Sequence, residues 1–125
     1  MKGTFMSELL KDKSIIITGG STGIGRATAL RCAAEGAALL IADVNDEQGA
    51  ATVAEICAAG GRAQYVHTDV TVTAEVRHMI AVARDVYGRL DGAFNNAGIE
   101  GNFTSIVKMT EDEYDRTVNV DLKGV

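Results

Sequence analysis

The sequence contains no proline or tryptophan, only two cysteines, and no long hydrophobic run. Because proline is absent, no X-Pro bond complicates folding. No apolar stretch approaches the roughly 18 residues that a membrane-spanning helix needs, and the segment before residue 14 lacks the apolar core of a secretory signal. These absences argue against a membrane or secreted protein, and we expect a cytoplasmic one.

Positive charge is scarce as well. The 125 residues carry 12 basic and 17 acidic side chains, a formal net charge of −5, and no basic block stands out. Nucleic acid is therefore not an expected partner. Cys32 and Cys57 fall within predicted helices, and no other ligand lies at metal-binding spacing. We expect two small buried thiols in a reducing compartment and no metal site.

Glycine and alanine, by contrast, are abundant, and one glycine-rich turn organises the chain. Residues 18–25 read Thr-Gly-Gly-Ser-Thr-Gly-Ile-Gly, after the apolar run of residues 14–17 and before a stretch with helical apolar spacing. A strand, a glycine-rich turn and a helix in this order bring backbone N–H groups and the positive end of a helix dipole to one point, which suits a phosphate group. The predicted phosphate-binding residues are Gly19, Ser21, Thr22, Gly23, Ile24 and Gly25.

The same alternation of strand and helix runs through the rest of the chain. The predicted strands span residues 14–18, 37–42, 62–67 and 90–94. Their apolar runs do not alternate with polar residues, which is typical of a sheet covered on both faces. We predict a Rossmann-type, doubly wound parallel α/β sheet with strand order 3-2-1-4. A tail over residues 1–13 precedes this domain, which spans residues 14–125.

Helix starts and faces follow from capping residues and apolar spacing. Asn45 predicts the start of the second helix, Thr71 or Thr73 caps the third, and a capping box over residues 110–113 opens the last. The second helix carries the apolar residues Ala50, Ala51, Val53, Ala54, Ile56 and Cys57. In the third helix, one face is predicted to carry Val76, Ile80, Ala83 and Val86 or Tyr87.

Acidic residues end the second and third strands, where a parallel sheet forms its ligand crevice. Asp43, followed by Val44, lies where a carboxylate accepts hydrogen bonds from the ribose hydroxyls of a dinucleotide. The alternative is that Asp43 only starts a turn. Asp69 lies where its side chain would meet an adenine amino group, with Val70 beside the ring, or else it only leads into the third helix.

Asp43 also bears on the choice between the two nicotinamide cofactors. A 2′-phosphate would meet its negative charge with no guanidinium partner, and Thr22 leaves the glycine-rich turn without a basic side chain. Both features favour NAD(H) over NADP(H).

Two asparagines and two small residues follow the fourth strand. Asparagine amides tie the backbones of neighbouring strands together, and small side chains leave room for a flat ligand. The predicted cofactor contacts here are Asn95, Asn96, Ala97 and Gly98. A generic Asn-Gly-type turn is the alternative. Ile99 begins a loop through residue 109, which we expect to line one wall of the substrate pocket, with Ile99 near the nicotinamide.

Taken together, these motifs resemble the short-chain dehydrogenase/reductase family. The family's Thr-Gly-x-x-x-Gly-x-Gly turn matches residues 18–25, its strand-two acid Asp43, its adenine-side acid Asp69, and its Asn-Asn-Ala-Gly residues 95–98. The resemblance covers about residues 10–125. It implies an NAD-dependent oxidoreductase that moves a hydride between nicotinamide and a secondary alcohol or ketone of a sugar, a steroid or a small cyclic alcohol.

The family's catalytic residues are mostly missing from these 125 residues. No tyrosine is followed four residues later by lysine, as the family's Tyr-x-x-x-Lys requires, and its catalytic serine has no counterpart. The family's catalytic asparagine falls on Asp121, with Asn119 two residues earlier, and the choice between these two stays open. The chain resembles about half of a family member, and we expect it to bind NAD(H) without turning over a substrate.

Two other functions remain open. The chain is alternatively a naturally short, non-catalytic dinucleotide-binding module, or another nucleotide-using α/β protein such as a methyltransferase. Residues 95–98 and the glycine spacing argue against the methyltransferase. In the order 3-2-1-4 the fourth strand is an apolar edge, so we expect self-association through that edge or through the last helix.

Overall fold

The computed structural model describes residues 8–125 and forms one four-stranded sheet. Its strands are β1 (Ser14–Thr18), β2 (Ala38–Asp43), β3 (Arg62–His67) and β4 (Gly92–Asn95). All pairings are parallel and the strand order is β3-β2-β1-β4. The predicted doubly wound α/β class and strand order are confirmed. β4 begins at Gly92 rather than at residue 90, because its pairing with β1 starts at Ile15 and Gly92.

Helices connect the strands. They are α1 (Gly23–Ala34), α2 (Asp46–Ala58), α3 (Thr73–Tyr87) and α4 (Glu111–Val118), and α4 continues into one π-helical turn, Asn119–Lys123. None of the helices in residues 8–125 combines the length and the apolar character needed to cross a bilayer.

The predicted tail lies only partly within the described residues, since residues 1–7 are outside them. Residues 8–13 form a turn attached to the sheet domain. The Leu10 backbone N–H donates to the Glu35 carbonyl at 2.9 Å, and the Ala38 N–H donates to the Lys13 carbonyl at 2.8 Å. Leu10 also packs against the core, so this part of the predicted tail is continuous with the domain.

The core has one hydrophobic cluster on each face of the sheet. Successive strand residues point to opposite faces, so Ile17 and Ile41 pack on one face with α1 and α2, and Ile16 and Leu40 pack on the other with α3. Ile17, Leu40 and Ile41 are 0% exposed. Burial on both faces explains why these strands are apolar throughout.

The inward face of α2 is formed by Gly49, Thr52 and Ile56, which are buried, with Val53 packed beside them. Among the other apolar residues of this helix, Ala50, Ala51, Ala54 and Cys57 are exposed. Cys57 is thus exposed and Cys32 is only partly buried, which corrects the expectation of two buried thiols.

The inward face of α3 is rotated relative to the prediction. Met79 and Ala83 are buried, with Val76 and Tyr87 partly buried beside them. Ile80 and Val86 are 38% and 39% exposed.

Capping residues were predicted with mixed success. Asn45 accepts a hydrogen bond from the Gln48 N–H, and Thr110 and Glu113 form the predicted capping box. Neither predicted threonine caps α3, because the N-cap position is Val72 and the Thr71 hydroxyl donates to the Asp69 carboxylate instead.

Candidate functional site

A cavity of about 410 Å³ lies at the carboxyl ends of the strands, beside α4. This volume falls within the range of roughly 300–1,000 Å³ that is typical of small-molecule sites. Nine predicted cofactor contacts line it: Gly19, Thr22, Asp43, Val44, Asp69, Val70, Asn96, Ala97 and Gly98. Ile99 lines it as well. The residues that sequence reasoning missed are Thr68, Arg116 and Val120.

Five other predicted contacts do not line this cavity. Ser21 and Gly25 are buried beneath the glycine-rich turn, whereas Gly23, Ile24 and Asn95 are exposed. Gly25 has a packing role, since a Cβ there would lie 2.1 Å from the Gly19 carbonyl oxygen. The absence of that Cβ allows α1 to start directly against the turn.

The backbone of the turn approaches the end of β4 equally closely. Gly19 has φ of +65°, and a Cβ there would lie 2.9 Å from the Cα of Ala97. Thr22, the N-cap of α1, is extended and makes no side-chain capping bond. The backbone N–H groups at the start of α1 are therefore left without a cap from Thr22, which suits an anionic ligand.

The carboxylate of Asp43 is fixed by four donors. Its Oδ2 accepts from the Ser21 N–H at 3.2 Å and from the Ser21 hydroxyl. Its Oδ1 accepts from the N–H groups of Val44 at 2.7 Å and Asn45 at 3.3 Å. The carboxylate thus has a defined position at the end of β2, at the edge of the cavity.

Asn96 ties the end of β4 to β1, as predicted for this asparagine pair. Its side-chain Nδ2 donates to the carbonyls of Thr18 and Gly19, each at 3.1 Å. In return, the Thr18 hydroxyl oxygen accepts from the N–H groups of Asn96 and Ala97, each at 3.1 Å. These four bonds hold the wall of the cavity at the point where the strand order reverses, between β1 and β4.

Asp69 leads into α3 and also lines the cavity. Its Oδ1 accepts from the Thr71 N–H at 2.9 Å and hydroxyl at 2.6 Å, a turn that leads toward α3. These hydrogen bonds lower the pKa of Asp69 below its usual value. The carboxylate is therefore charged at neutral pH while the residue lines the cavity.

Arg116 on α4 adds a positive charge to the lining of the cavity. Of the described lining residues, it alone carries a positive charge, and the same lining includes the acidic residues Asp43 and Asp69.

The two candidates for the catalytic asparagine both lie in the π-helical turn. Asp121 Oδ1 accepts a hydrogen bond of 2.8 Å from the Ile99 N–H, which links the turn to the loop after β4. Neither Asp121 nor Asn119 lines the cavity among the described residues. The geometry thus gives Asp121 a contact with the cavity wall through Ile99.

A second polar cluster lies behind Asp43. Asp46 Oδ1 lies 2.7 Å from both the Tyr65 hydroxyl and His67 Nδ1. The Tyr65 hydroxyl is also 2.7 Å from the Asp43 carbonyl. Hydrogen bonds from Tyr65 and His67 lower the pKa of Asp46, and the bond to Asp46 raises the pKa of His67.

Sequence comparison agrees with this arrangement. The sequence profile described as short chain dehydrogenase matches residues 13–125, nearly the whole chain. The chain belongs to the short-chain dehydrogenase family.

Several members of the short-chain dehydrogenase family are close relatives. Levodione reductase of Leifsonia aquatica is 41% identical over 116 residues, covering 91% of this chain and 43% of the relative. The 3beta-hydroxysteroid dehydrogenase of Mediterraneibacter gnavus is 36% identical over 122 residues, covering 98% of this chain and 44% of the relative. The chain therefore spans less than half the length of these curated relatives.

Solved structures of short-chain dehydrogenases share the fold. A short chain dehydrogenase from Mycobacterium smegmatis superposes with a TM-score of 0.89 at 39% identity, covering 94% of this chain and 49% of that structure. The crystal structure of levodione reductase gives a TM-score of 0.88 at 39% identity, covering 92% and 45%. The architecture described above thus matches less than half the length of these two structures.

Proposed function

We propose that the chain is the NAD(H)-binding portion of a short-chain oxidoreductase that acts on a secondary alcohol or ketone. The observation that supports this proposal is the position of Asp43. Its carboxylate accepts hydrogen bonds from four donors at the end of β2, and the residue lines the cavity. An acid in this position of a Rossmann fold accepts hydrogen bonds from the ribose hydroxyls of NAD.

The remaining residues fit the other parts of a dinucleotide. The start of α1, uncapped by the Thr22 side chain, suits the pyrophosphate. Asp69 and Val70 suit the adenine at the end of β3, and Gly98 and Ile99 line the cavity after β4, where the nicotinamide would lie. When bound, the nicotinamide donates or accepts the hydride, while the residues of this chain bind and orient it.

The proposed role of this chain is cofactor binding rather than proton transfer. Its 125 residues contain no Tyr-x-x-x-Lys motif. Asp121 and Asn119 are the two candidates for the position of the family's catalytic asparagine. The contact of Asp121 with the Ile99 N–H supports a role in holding the loop beside the nicotinamide.

Calorimetric titration with NADH and with NADPH tests the proposal. We expect NADH to bind and NADPH to bind at least about tenfold more weakly, because a 2′-phosphate would approach the fixed Asp43 carboxylate. Asp43→Asn removes the charge but keeps an acceptor, so it should narrow the difference between the two cofactors. Asp85→Asn, on the exposed surface of α3, is the matched control.

Three results would contradict parts of the proposal. Binding of neither cofactor would show that the chain does not form a dinucleotide site by itself. Equal binding of both, unchanged in Asp43→Asn, would show that Asp43 does not set the preference. Steady turnover of an alcohol by the purified 125-residue chain would contradict the assignment of a binding role alone.

A further inference from the structure

Asp43 is held in place by a residue that does not itself reach the cavity. Ser21 is only 1% exposed, and both its N–H and its hydroxyl donate to Oδ2 of Asp43. A hydroxyl that is buried to this degree needs a partner inside the protein. Ser21 therefore acts on the cavity through the Asp43 carboxylate.

Thr52 holds the turn from behind. It is 0% exposed on the inner face of α2, and its Oγ1 lies 3.2 Å from the Ser21 carbonyl and 3.0 Å from the Gln48 carbonyl. A threonine hydroxyl has one hydrogen to donate, so the two carbonyls share it. The bond to Gln48 stays within α2, whereas the bond to Ser21 joins α2 to the glycine-rich turn.

We propose that Ser21, held by Thr52, is a positioning residue that sets the preference of this site for a dinucleotide with a free 2′-hydroxyl. The inference rests on the proposed NAD(H) site. A carboxylate that is free to turn away would relieve its repulsion from a 2′-phosphate. Ser21 holds Oδ2 while the N–H groups of Val44 and Asn45 hold Oδ1, so Asp43 keeps its charge directed at the ribose.

The substitution Ser21→Ala isolates this effect. It removes the hydroxyl donor and keeps the backbone N–H, so Asp43 retains three of its four hydrogen bonds. The carboxylate gains freedom to rotate, which admits a 2′-phosphate more easily and weakens the preorganised contact with a 2′-hydroxyl. NADPH and NADH binding should therefore change in opposite directions.

The experiment measures the dissociation constants of NADH and NADPH for the 125-residue protein and its variants. Ser21→Ala removes the charge-assisted hydrogen bond from the Ser21 hydroxyl to the Asp43 carboxylate. The ratio of the dissociation constant of NADPH to that of NADH should therefore fall about tenfold. Thr52→Val preserves shape and should lower the ratio by about threefold, since it loosens the turn indirectly. Thr28→Val is the matched control, because the Thr28 hydroxyl donates within α1 to the Ile24 carbonyl.

The possible outcomes separate the two proposals. If wild-type protein binds neither cofactor, the proposed function fails, and the positioning role fails with it. If wild-type protein prefers NADH but Ser21→Ala weakens the binding of both cofactors equally, only the positioning role of Ser21 is overturned.

Thr52→Ser retains the hydroxyl and should restore the wild-type ratio of the two dissociation constants. Failure of this rescue would overturn the part assigned to Thr52. Should Ser21→Ala not fold, the Thr52→Val and Thr52→Ser pair decides alone.

Discussion

Single residues at the strand ends contact both the cavity and the surrounding fold. Asp43 illustrates this, since its side chain faces the cavity while its carbonyl lies 2.7 Å from the Tyr65 hydroxyl. Tyr65 and His67, two residues apart on β3, both contact Asp46. The position of Asp43 is thus coupled to an exposed cluster of charged groups.

The cluster around His67 predicts a pH dependence of stability. Asp46 lies 2.7 Å from His67, Glu75 lies 3.9 Å away, and Asp69 is also near, and together they raise the pKa of His67 in the folded protein. A raised pKa gives stability that is fully present below the unfolded value of about 6.5 and is lost as pH rises through the folded value.

Denaturant unfolding of wild type and His67→Gln at two pH values measures this contribution. The free energy of unfolding of wild type should exceed that of His67→Gln by more at about pH 5.5 than at about pH 8.5. The reason is that only the protonated imidazole is attracted as a charge to the neighbouring carboxylates. Asp46 remains charged at both values, since its pKa is lowered. His78→Gln, which removes an exposed histidine on α3, is the matched control. An advantage of equal size at both pH values would rule out this contribution.

Among single residues, sequence reasoning identified those whose role depends on backbone geometry or on a strand end. Asp43 belongs to this group, because it ends β2 at the cavity. Gly25 was predicted as a phosphate contact and instead packs against Gly19. Arg116 and Val120 were missed because only the packing of α4 brings them to the cavity. Nothing near them in the sequence indicates that proximity.

At the scale of elements, α2 and β3 meet through one unusually close contact. Gly49 of α2 lies against the ring of Tyr65, and a Cβ there would be 2.1 Å from Cε1. This contact allows the Tyr65 hydroxyl to reach the Asp43 carbonyl. The position therefore favours glycine despite its low helix propensity.

Gly49→Ala should destabilise the protein. Overpacking typically costs about 1–3 kcal/mol, while replacing a helical glycine with alanine returns only about 1 kcal/mol. We expect a net loss of about 1 kcal/mol in the free energy of unfolding, measured in urea. Ala50 is the next residue and is exposed. The substitution Ala50→Gly therefore measures the difference in helix propensity between alanine and glycine without overpacking. A variant more stable than wild type would show that the ring moves aside without cost.

Strands and their order were predictable, whereas helix faces were not. Apolar β-branched runs and glycine breaks locate β1, β2 and β3 almost to the residue, and right-handed crossovers fix the order. The face of α3 was misjudged because Met79 is buried whereas the predicted Ile80 is exposed. In α2, Gly49 and Thr52 are buried for reasons of fit and hydrogen bonding. Hydrophobicity does not report those reasons.

At the scale of the whole molecule, β4 is one edge of the described sheet. Phe94 in this strand is 38% exposed, and three apolar residues of the following loop, Phe103, Ile106 and Val107, are more than 85% exposed. An exposed apolar edge favours pairing with another chain. We therefore expect the protein to self-associate through β4.

Light scattering over a range of concentrations tests this expectation. The mass should rise with concentration in wild type, and Ala93→Lys should suppress the rise because a charge on an edge strand opposes pairing. Ala81→Lys on the exposed side of α3 adds the same charge elsewhere and should leave the rise unchanged. A monomer at every concentration, or equal suppression by both variants, would contradict association through β4.

The strand order has a consequence for the sequence of events during synthesis. β1 is synthesised first and lies between β2 and β4 in the sheet. β2 follows it closely along the chain, whereas β4 is translated much later. The bond from Asn96 to the Thr18 carbonyl joins residues 78 positions apart, and such non-local pairings form slowly. On a ribosome that releases the chain from its N-terminus, the glycine-rich turn and Asp43 emerge as a βαβ unit before β4 exists. The side of the cavity that carries Asp43 is therefore available to fold first, and the side that carries Asn96, Ala97 and Gly98 is added when β4 docks.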